Sequence, residues 1–458
     1  MKYRGHVRAL MQLGLPLIGG HVAQFSVGLT DTVMLGWYSV DALAAVVLGS
    51  QVFFLAFILG SGFAFAVMPM VAEALAQEDD TTIRRTTRMG MWLSVIYAVA
   101  LLPVFWWAKP ILVAAGQDPM LSEAAQSYLR IMGIGLIPAL LVMVLKSYLA
   151  ALEHTRVVFW ITVLAAVVNA FVNYALIFGN WGAPELGITG AAIASLAVQG
   201  VMIAGAVVYA AGRLPQYDLF SHLWRPDWEA MGRVFRIGVP IGFTTLAEVG
   251  LFAAGALMMG WLGTIPLAAH GIAINLAGLM FMVHLGLGNA ATVRAGNALG
   301  RGDVEHLARG ARTAIFMSLA FAVFSIVVFV TQAEFLISLF LSADEPNYDQ
   351  IIQIGAVFLL AAAFFQFVDG LQAMALGVLR GVLDTQVPLI MAAISYWIVG
   401  VPASYVLGFT LGWEGIGIWI GLGLGLGVAA ILLMWRFWAH MVANLRQQAA
   451  QRLKPSAI

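Results

Sequence analysis

The chain has 458 residues, 62% of them hydrophobic and 10% charged, with a mean hydropathy of +0.92. A soluble chain carries about a quarter charged residues, so nearly all of this one belongs in a bilayer. The formal net charge is zero and there is no cysteine, which speaks against nucleic-acid binding, a disulfide framework and thiolate metal sites.

Twelve spans are predicted, at about 8–36, 43–76, 87–108, 125–152, 157–179, 187–212, 232–260, 267–300, 311–331, 350–381, 388–411 and 415–440. The first runs on past Asp31 without a cleavage region, so no cleavable signal peptide is expected. No connection between spans is long enough for a soluble domain. No GxxxxGK[ST] loop is present, which speaks against ATP-hydrolysing machinery within the chain. Prolines fall inside the spans at Pro16, Pro69, Pro103, Pro138, Pro240, Pro388 and Pro402, where each removes a backbone donor and bends its helix. In the last span, Gly417, Gly421 and Gly425 make a stripe suited to close helix packing.

All but two of the 23 Lys and Arg, namely Lys109 and Arg130, then fall on one side of the membrane. Arg380 is counted with the loop cations of that side. The positive-inside rule makes it the cytoplasm and puts both termini there.

The chain also repeats itself. A shift of 224 positions lays Gly14 and Pro16 on Gly238 and Pro240, and Met34, Gly36 and Trp37 on Met258, Gly260 and Trp261. The same shift lays Asp79, Arg85 and Arg88 on Asp303, Arg309 and Arg312. Later spans repeat at a shift of 230, Thr155 on Thr385 and Gly187 on Gly417. A register this long is the mark of a duplication, and six spans per half give both halves the same orientation. The expected fold is therefore an all-α membrane protein of twelve transmembrane helices in two six-helix lobes related by a parallel internal repeat. The lobes are expected at 1–212 and 232–445, with a cytoplasmic linker at 213–231 and a cytoplasmic tail at 446–458.

The acids break the repeat: Asp31 aligns with Gly255, and Glu248 with Gln24. Asp31, Glu248 and Asp369 all lie deep in spans, where an ionisable group is costly and marks function by default. Each can take up a proton or meet a bound cation, and the bland alternative is a neutral helix-to-helix hydrogen bond. Phe252 lies one turn from Glu248, where its ring suits an organic cation. Phe365, Asp369 and Gln372 share a face. Asn169 and Asn173, four apart, project together and offer neutral oxygens. His21, His270 and His284 read better as structural histidines than as a proton path. The many methionines read as packing, with an adaptable apolar wall as the second reading.

Several stretches resemble the multidrug and toxic compound extrusion (MATE) transporters, most closely the NorM-type branch. They are Asp31-Thr-Val-Met-Leu-Gly36, Pro266-Leu-Ala-Ala-His270, Gly296-Asn-Ala-Leu-Gly-Arg-Gly-Asp303, Phe365-Gln-Phe-Val-Asp369, Leu379-Arg-Gly381 and Asp384-Thr385. The resemblance covers essentially the whole chain. It implies two lobes around a cleft that opens alternately to either side, and export of organic, mostly cationic compounds against an inward flow of Na⁺ or H⁺. It implies that Glu248 and Asp369 couple the cation, binding it directly if it is Na⁺, with Phe252 beside them. Asp31 then matches the N-lobe acid, with Asn169 and Asn173 near it. Some relatives carry an acid at the position of Asn173; here it is neutral. The implied protein is a monomeric, multi-pass protein of the bacterial inner membrane that needs no cofactor and is not an enzyme.

Three other classes fit the sequence less well. A lipid-linked precursor flippase of related two-lobed build would be expected to show a cationic cavity, whereas the intramembrane charges here are acidic. A membrane-embedded enzyme would need clustered nucleophiles or metal ligands such as HExxH. A major-facilitator antiporter would carry a basic motif after its second span, which Ala72 to Arg88 does not match.

Overall fold

The computed structural model describes residues 2–452. Residues 453–458, which hold Lys454 and the end of the expected tail, lie outside the described residues. Twelve long helices follow in order: α1 Tyr3–Tyr38, α2 Val40–Ala76, α3 Asp80–Trp106, α4 Pro119–Ala151, α5 Thr155–Phe178 and α6 Ile188–Arg213 in the first half. The second half has α7 Trp228–Leu262, α8 Thr264–Arg301, α9 Val304–Ser338, α10 Tyr348–Gly381, α11 Gln386–Thr410 and α12 Glu414–Gln451. Eleven of these are long and apolar enough to cross a membrane. The other, α1, has 36 residues, but Gln12, His21, Gln24 and Asp31 dilute its apolar run.

The helices outrun the predicted spans at several ends because polar residues cap them beyond the apolar stretch. Asp79 accepts the Thr82 amide at 3.0 Å and so starts α3 well before its apolar run. Asp303 does the same for His306 at 2.9 Å at the start of α9. Three spans depart from a plain helix: α9 takes non-helical dihedrals at Gln332, α12 widens into five-residue turns at Arg436–Val442, and α11 does so twice. Around Pro402, the wider turns of α11 lie at Ile394–Gly400 and Val406–Thr410. Proline has no N–H to close a regular turn, and a wider turn accommodates the freed carbonyl.

The duplication is written in the backbone. After α2, the Asp79 amide reaches the Ala74 carbonyl at 3.0 Å; after α8, Asp303 reaches Ala298 at 3.1 Å, the same bond 224 residues on. After α4, Glu153 and His154 bond back to Ala150 and Leu149 at 3.0 and 2.8 Å. After α10, Leu383 and Asp384 bond back to Arg380 and Leu379 at 2.9 and 3.0 Å, the same turn 230 residues on. Glu153 and Leu383 both take the left-handed conformation that this turn needs, with φ of 65° and 61°.

The chain forms two compact units, one made of residues Gly19–Gly242, the other of the chain up to Ile18 and from Phe243 onward. The division thus runs through α1 and α7 at repeat-equivalent positions. Close backbone approach explains the placement. A Cβ on Gly62 would collide with the backbone of Gly238 and Gly242 in the first unit, and one on Gly286 would lie 2.8 Å from the Ile18 nitrogen in the second.

In the unit 19–242, α4 is the central helix, with buried residues from Ser122 through to Ala151. Its Leu129 and Leu136 pack with Leu35, Phe105 and Ile177 from neighbouring helices. In the other unit α10 takes that place, with buried residues from Ile351 through to Gly381. There the predicted glycine stripe is seated against α11: Gly417 meets Leu407, Gly421 meets Ser404, and Gly425 meets Gly400.

Candidate ion and substrate sites

In the unit 19–242, α1 carries Asp31 and α5 carries the two asparagines. One carboxylate oxygen of Asp31 accepts the Asn169 amide at 3.0 Å and also that of Asn173. Asn173 in turn donates to the Asn169 carbonyl at 3.3 Å. Both asparagines are fully buried. Their four-residue spacing puts both amides on one face, and an apolar helix leaves them no competing solvent. The Asn173 carbonyl oxygen has no hydrogen-bond partner. A buried carboxylate held by amide donors, with a bare amide oxygen on one of those side chains, suits a proton or a cation.

Tyr128 on α4 also acts electrostatically on this site, and its hydroxyl lies 3.2 Å from that of Ser50 on α2. Sequence reasoning did not single it out.

In the other unit, α7 supplies Glu248 and Phe252, and α10 supplies Phe365, Asp369 and Gln372. Asp369 is 3% exposed, and its Oδ1 has no hydrogen-bond partner. Glu248 lies close enough for the two acids to feel each other's charge, and Gln372 lies beside it. Gln372 is fully buried; its amide nitrogen donates to the Tyr396 hydroxyl on α11, and its oxygen is unpartnered. Phe252 meets Phe365 edge-on with ring centres 5.9 Å apart, and Phe365 meets Trp419 of α12 at 5.7 Å.

The structure thus gathers all five second-half candidates into one cluster and adds Tyr396 and Trp419, which the sequence hid among its other aromatics. It also places Arg380 differently from a loop cation. Arg380 is partly buried, and its Nη2 lies 3.5 Å from the Thr245 hydroxyl on α7.

His284 lies against Gly370, the residue after Asp369. His284 shares a 2.8 Å hydrogen bond with Ser318, and His270 packs on Trp419 at 5.3 Å. These contacts suit a packing role.

The family model described as MatE matches residues 16–175 and again residues 240–406. The chain belongs to the MatE family. The two matches begin 224 residues apart, the interval of the internal repeat. Membership of MatE makes the chain a transporter and not an enzyme. A "Probable multidrug resistance protein NorM" of Rhizobium meliloti is 44% identical over 94% of this chain and 93% of its own. A protein of the same name from Agrobacterium fabrum is 42% identical over the same shares. Among solved structures, an outward-facing multidrug resistance MATE family transporter superposes with a TM-score of 0.87 at 20% identity, covering 96% of this chain and 97% of that one. The eukaryotic MATE transporter AtDTX14 superposes with a TM-score of 0.86 at 19% identity, covering 99% of this chain and all of that one. These likenesses carry the MatE fold across widely diverged sequences.

Proposed function

We propose that this MatE chain is a multidrug efflux antiporter, exporting organic, mostly cationic compounds in exchange for Na⁺ or H⁺ by alternating access. Its NorM-named relatives support the drug-export part. The coupling part is carried by the Glu248–Asp369 cluster, where two acids lie together and a buried carboxylate oxygen and a buried amide oxygen have no partner. Buried polar atoms without partners are costly, and a proton or small cation lowers that cost by supplying the missing bond or charge. The partly exposed Phe252 ring, backed by the buried Phe365 and Trp419, gives a cationic substrate an apolar surface beside the acids.

Ion and substrate then compete for the same negative charge. A proton or Na⁺ on the acids weakens substrate binding, and a bound substrate weakens ion binding by the same factor. Asp31 with its two asparagines is a second protonation or cation site in the other half. The six-helix lobes at 1–212 and 232–445 are the moving bodies, joined by the linker at 213–231. The protein acts as a monomer in the bacterial inner membrane, with both termini in the cytoplasm.

A binding titration tests this reading. Ethidium affinity of the purified protein is measured against Na⁺ concentration and, separately, against pH. Affinity should fall with one of the two cations, and Glu248→Gln should abolish that dependence. An ethidium affinity indifferent to both cations contradicts the reading.

A further inference from the structure

The last turn of α10 holds a cation that this mechanism has not used. A basic residue at a helix C-terminus ordinarily complements the carbonyl end of its own helix and reaches water. Arg380 instead turns across to α7, its Nη2 3.5 Å from the Thr245 hydroxyl. Thr245 precedes Glu248 by about one helical turn and shares its face. Arg380 also acts electrostatically on Glu248 and Tyr396.

Successive spans reverse direction, so α7 and α10 are antiparallel. Stepping from Glu248 back to Thr245 therefore goes the same way as stepping from Gln372 on to Arg380. Both steps lead from the acids toward the turn that joins α10 to α11. The Arg380 backbone lies about 12 Å beyond that of Gln372 at 1.5 Å per residue, and its long side chain spans part of the gap. A positive charge thus stands between the acids and that end of the bundle.

The other half of the molecule is an internal control. The turn after α4 has the same backbone bonds as the turn after α10. At the shift of 230, Arg380 aligns with Ala150 and Asp369 with Ala139; at 224, Glu248 aligns with Gln24. A cation needed only to close this turn belongs in both copies. Here the basic residue occurs in the half that holds the acid pair, and all three charges are missing together from the other.

We propose that Arg380 is the charged floor of the Glu248–Asp369 site, barring a bound cation from escaping past the end of α10 when no substrate is exchanged. This rests on the reading of Glu248 and Asp369 as the ion-coupling pair. A fixed guanidinium repels a monovalent cation along that route in the way basic residues exclude cations in membrane pores. Arg380 acts through the barrier it sets and is not a ligand of the cation.

The test is ion leak in proteoliposomes without substrate, with ²²Na⁺ uptake under a Na⁺ gradient and a lumenal pH dye under a pH gradient. The full chain is compared with Arg380→Gln, Arg380→Lys, Glu248→Gln and the double variant Arg380→Gln/Glu248→Gln. Arg380→Met, which keeps the aliphatic stem, replaces the Gln variant if that one is not monodisperse. The wild type should be tight and the neutral variant should leak about tenfold faster or more. The Lys variant should be tight again, and the double variant should lose the leak because the route passes Glu248. Substrate-driven exchange is recorded alongside. If Glu248→Gln alone stops exchange yet the neutral Arg380 variant is tight, the floor is overturned and the coupling pair stands. If Glu248→Gln exchanges like wild type, the coupling pair falls and the floor with it.

Discussion

At the scale of single residues, the account rests on acids kept in apolar helices for a charge they exchange. Glu248→Gln and Asp369→Asn keep the side-chain shape and remove the charge. Each should abolish ion-coupled ethidium efflux in vesicles while the protein still inserts at wild-type levels on an immunoblot of the membranes. In the other half, Asn173→Ala removes one of the two amides that Asp31 accepts. A hydrogen bond to a charged group contributes about 1.5–3 kcal/mol, so efflux should fall about tenfold or more, with partial rescue by Asn173→Gln. The three acids and the asparagine pair were legible in the sequence because polar residues stand out in spans this apolar. Tyr396 and Trp419 were not, since nothing in a row of aromatics says which ring reaches a glutamine or a phenylalanine on another helix. Arg380 was misread as a loop cation because it lies one residue from the end of its helix. Only the fold shows its side chain crossing to α7.

At the scale of elements, the repeated turns are the parts whose chemistry is most exposed to test. Asp79 caps α3 through the Thr82 amide and hydroxyl, and these bonds hold its carboxyl below the usual aspartate range. Loss of such a cap costs about 1 kcal/mol, so Asp79→Ala should lower the melting temperature slightly while Asp79→Asn stays near wild type. Just before α7, Asp227 accepts two bonds from the Arg85 guanidinium, which hold its carboxyl below the ordinary range. The sign follows from linkage: a depressed folded value stabilises the fold above the unfolded value near 3.9, and the contribution is lost as pH falls through the folded value. The melting temperature of Asp227→Asn should therefore lie below wild type at pH 7, and the gap should begin to narrow below about pH 4 and close only once pH passes below the depressed folded value. A gap that persists unchanged at low pH contradicts the pairing. Gly421→Leu places a side chain on the Ser404 backbone of α11 and should reduce the folded yield, read by size-exclusion chromatography. The glycine stripe was legible as a packing face, though not which helix it meets. The wider turns of α11 were not legible, because Pro402 announces a break in hydrogen bonding without saying how the chain repairs it.

At the scale of the whole molecule, the duplication is what connects sequence, fold and function. It was legible as two long registers, at shifts of 224 and 230, and its turns recur bond for bond in the backbone. The same comparison shows what each half has changed, acids and Arg380 in one, Asp31 with its amides in the other. Apolar runs mark where helices cross a bilayer, but not that the compact units divide within α1 and α7. That division depends on glycines approaching backbone far away in sequence, a contact no local pattern encodes. The central claim is that the Glu248–Asp369 pair couples substrate export to a cation gradient. It is tested most directly by ethidium or norfloxacin efflux in vesicles, with a Na⁺ gradient and a pH gradient imposed separately, for wild type and for the Glu248→Gln/Asp369→Asn double variant. The account expects at least one gradient to drive efflux by the wild type and neither to drive it in the double variant. Efflux that ignores both gradients, or a double variant that pumps like wild type, would contradict it.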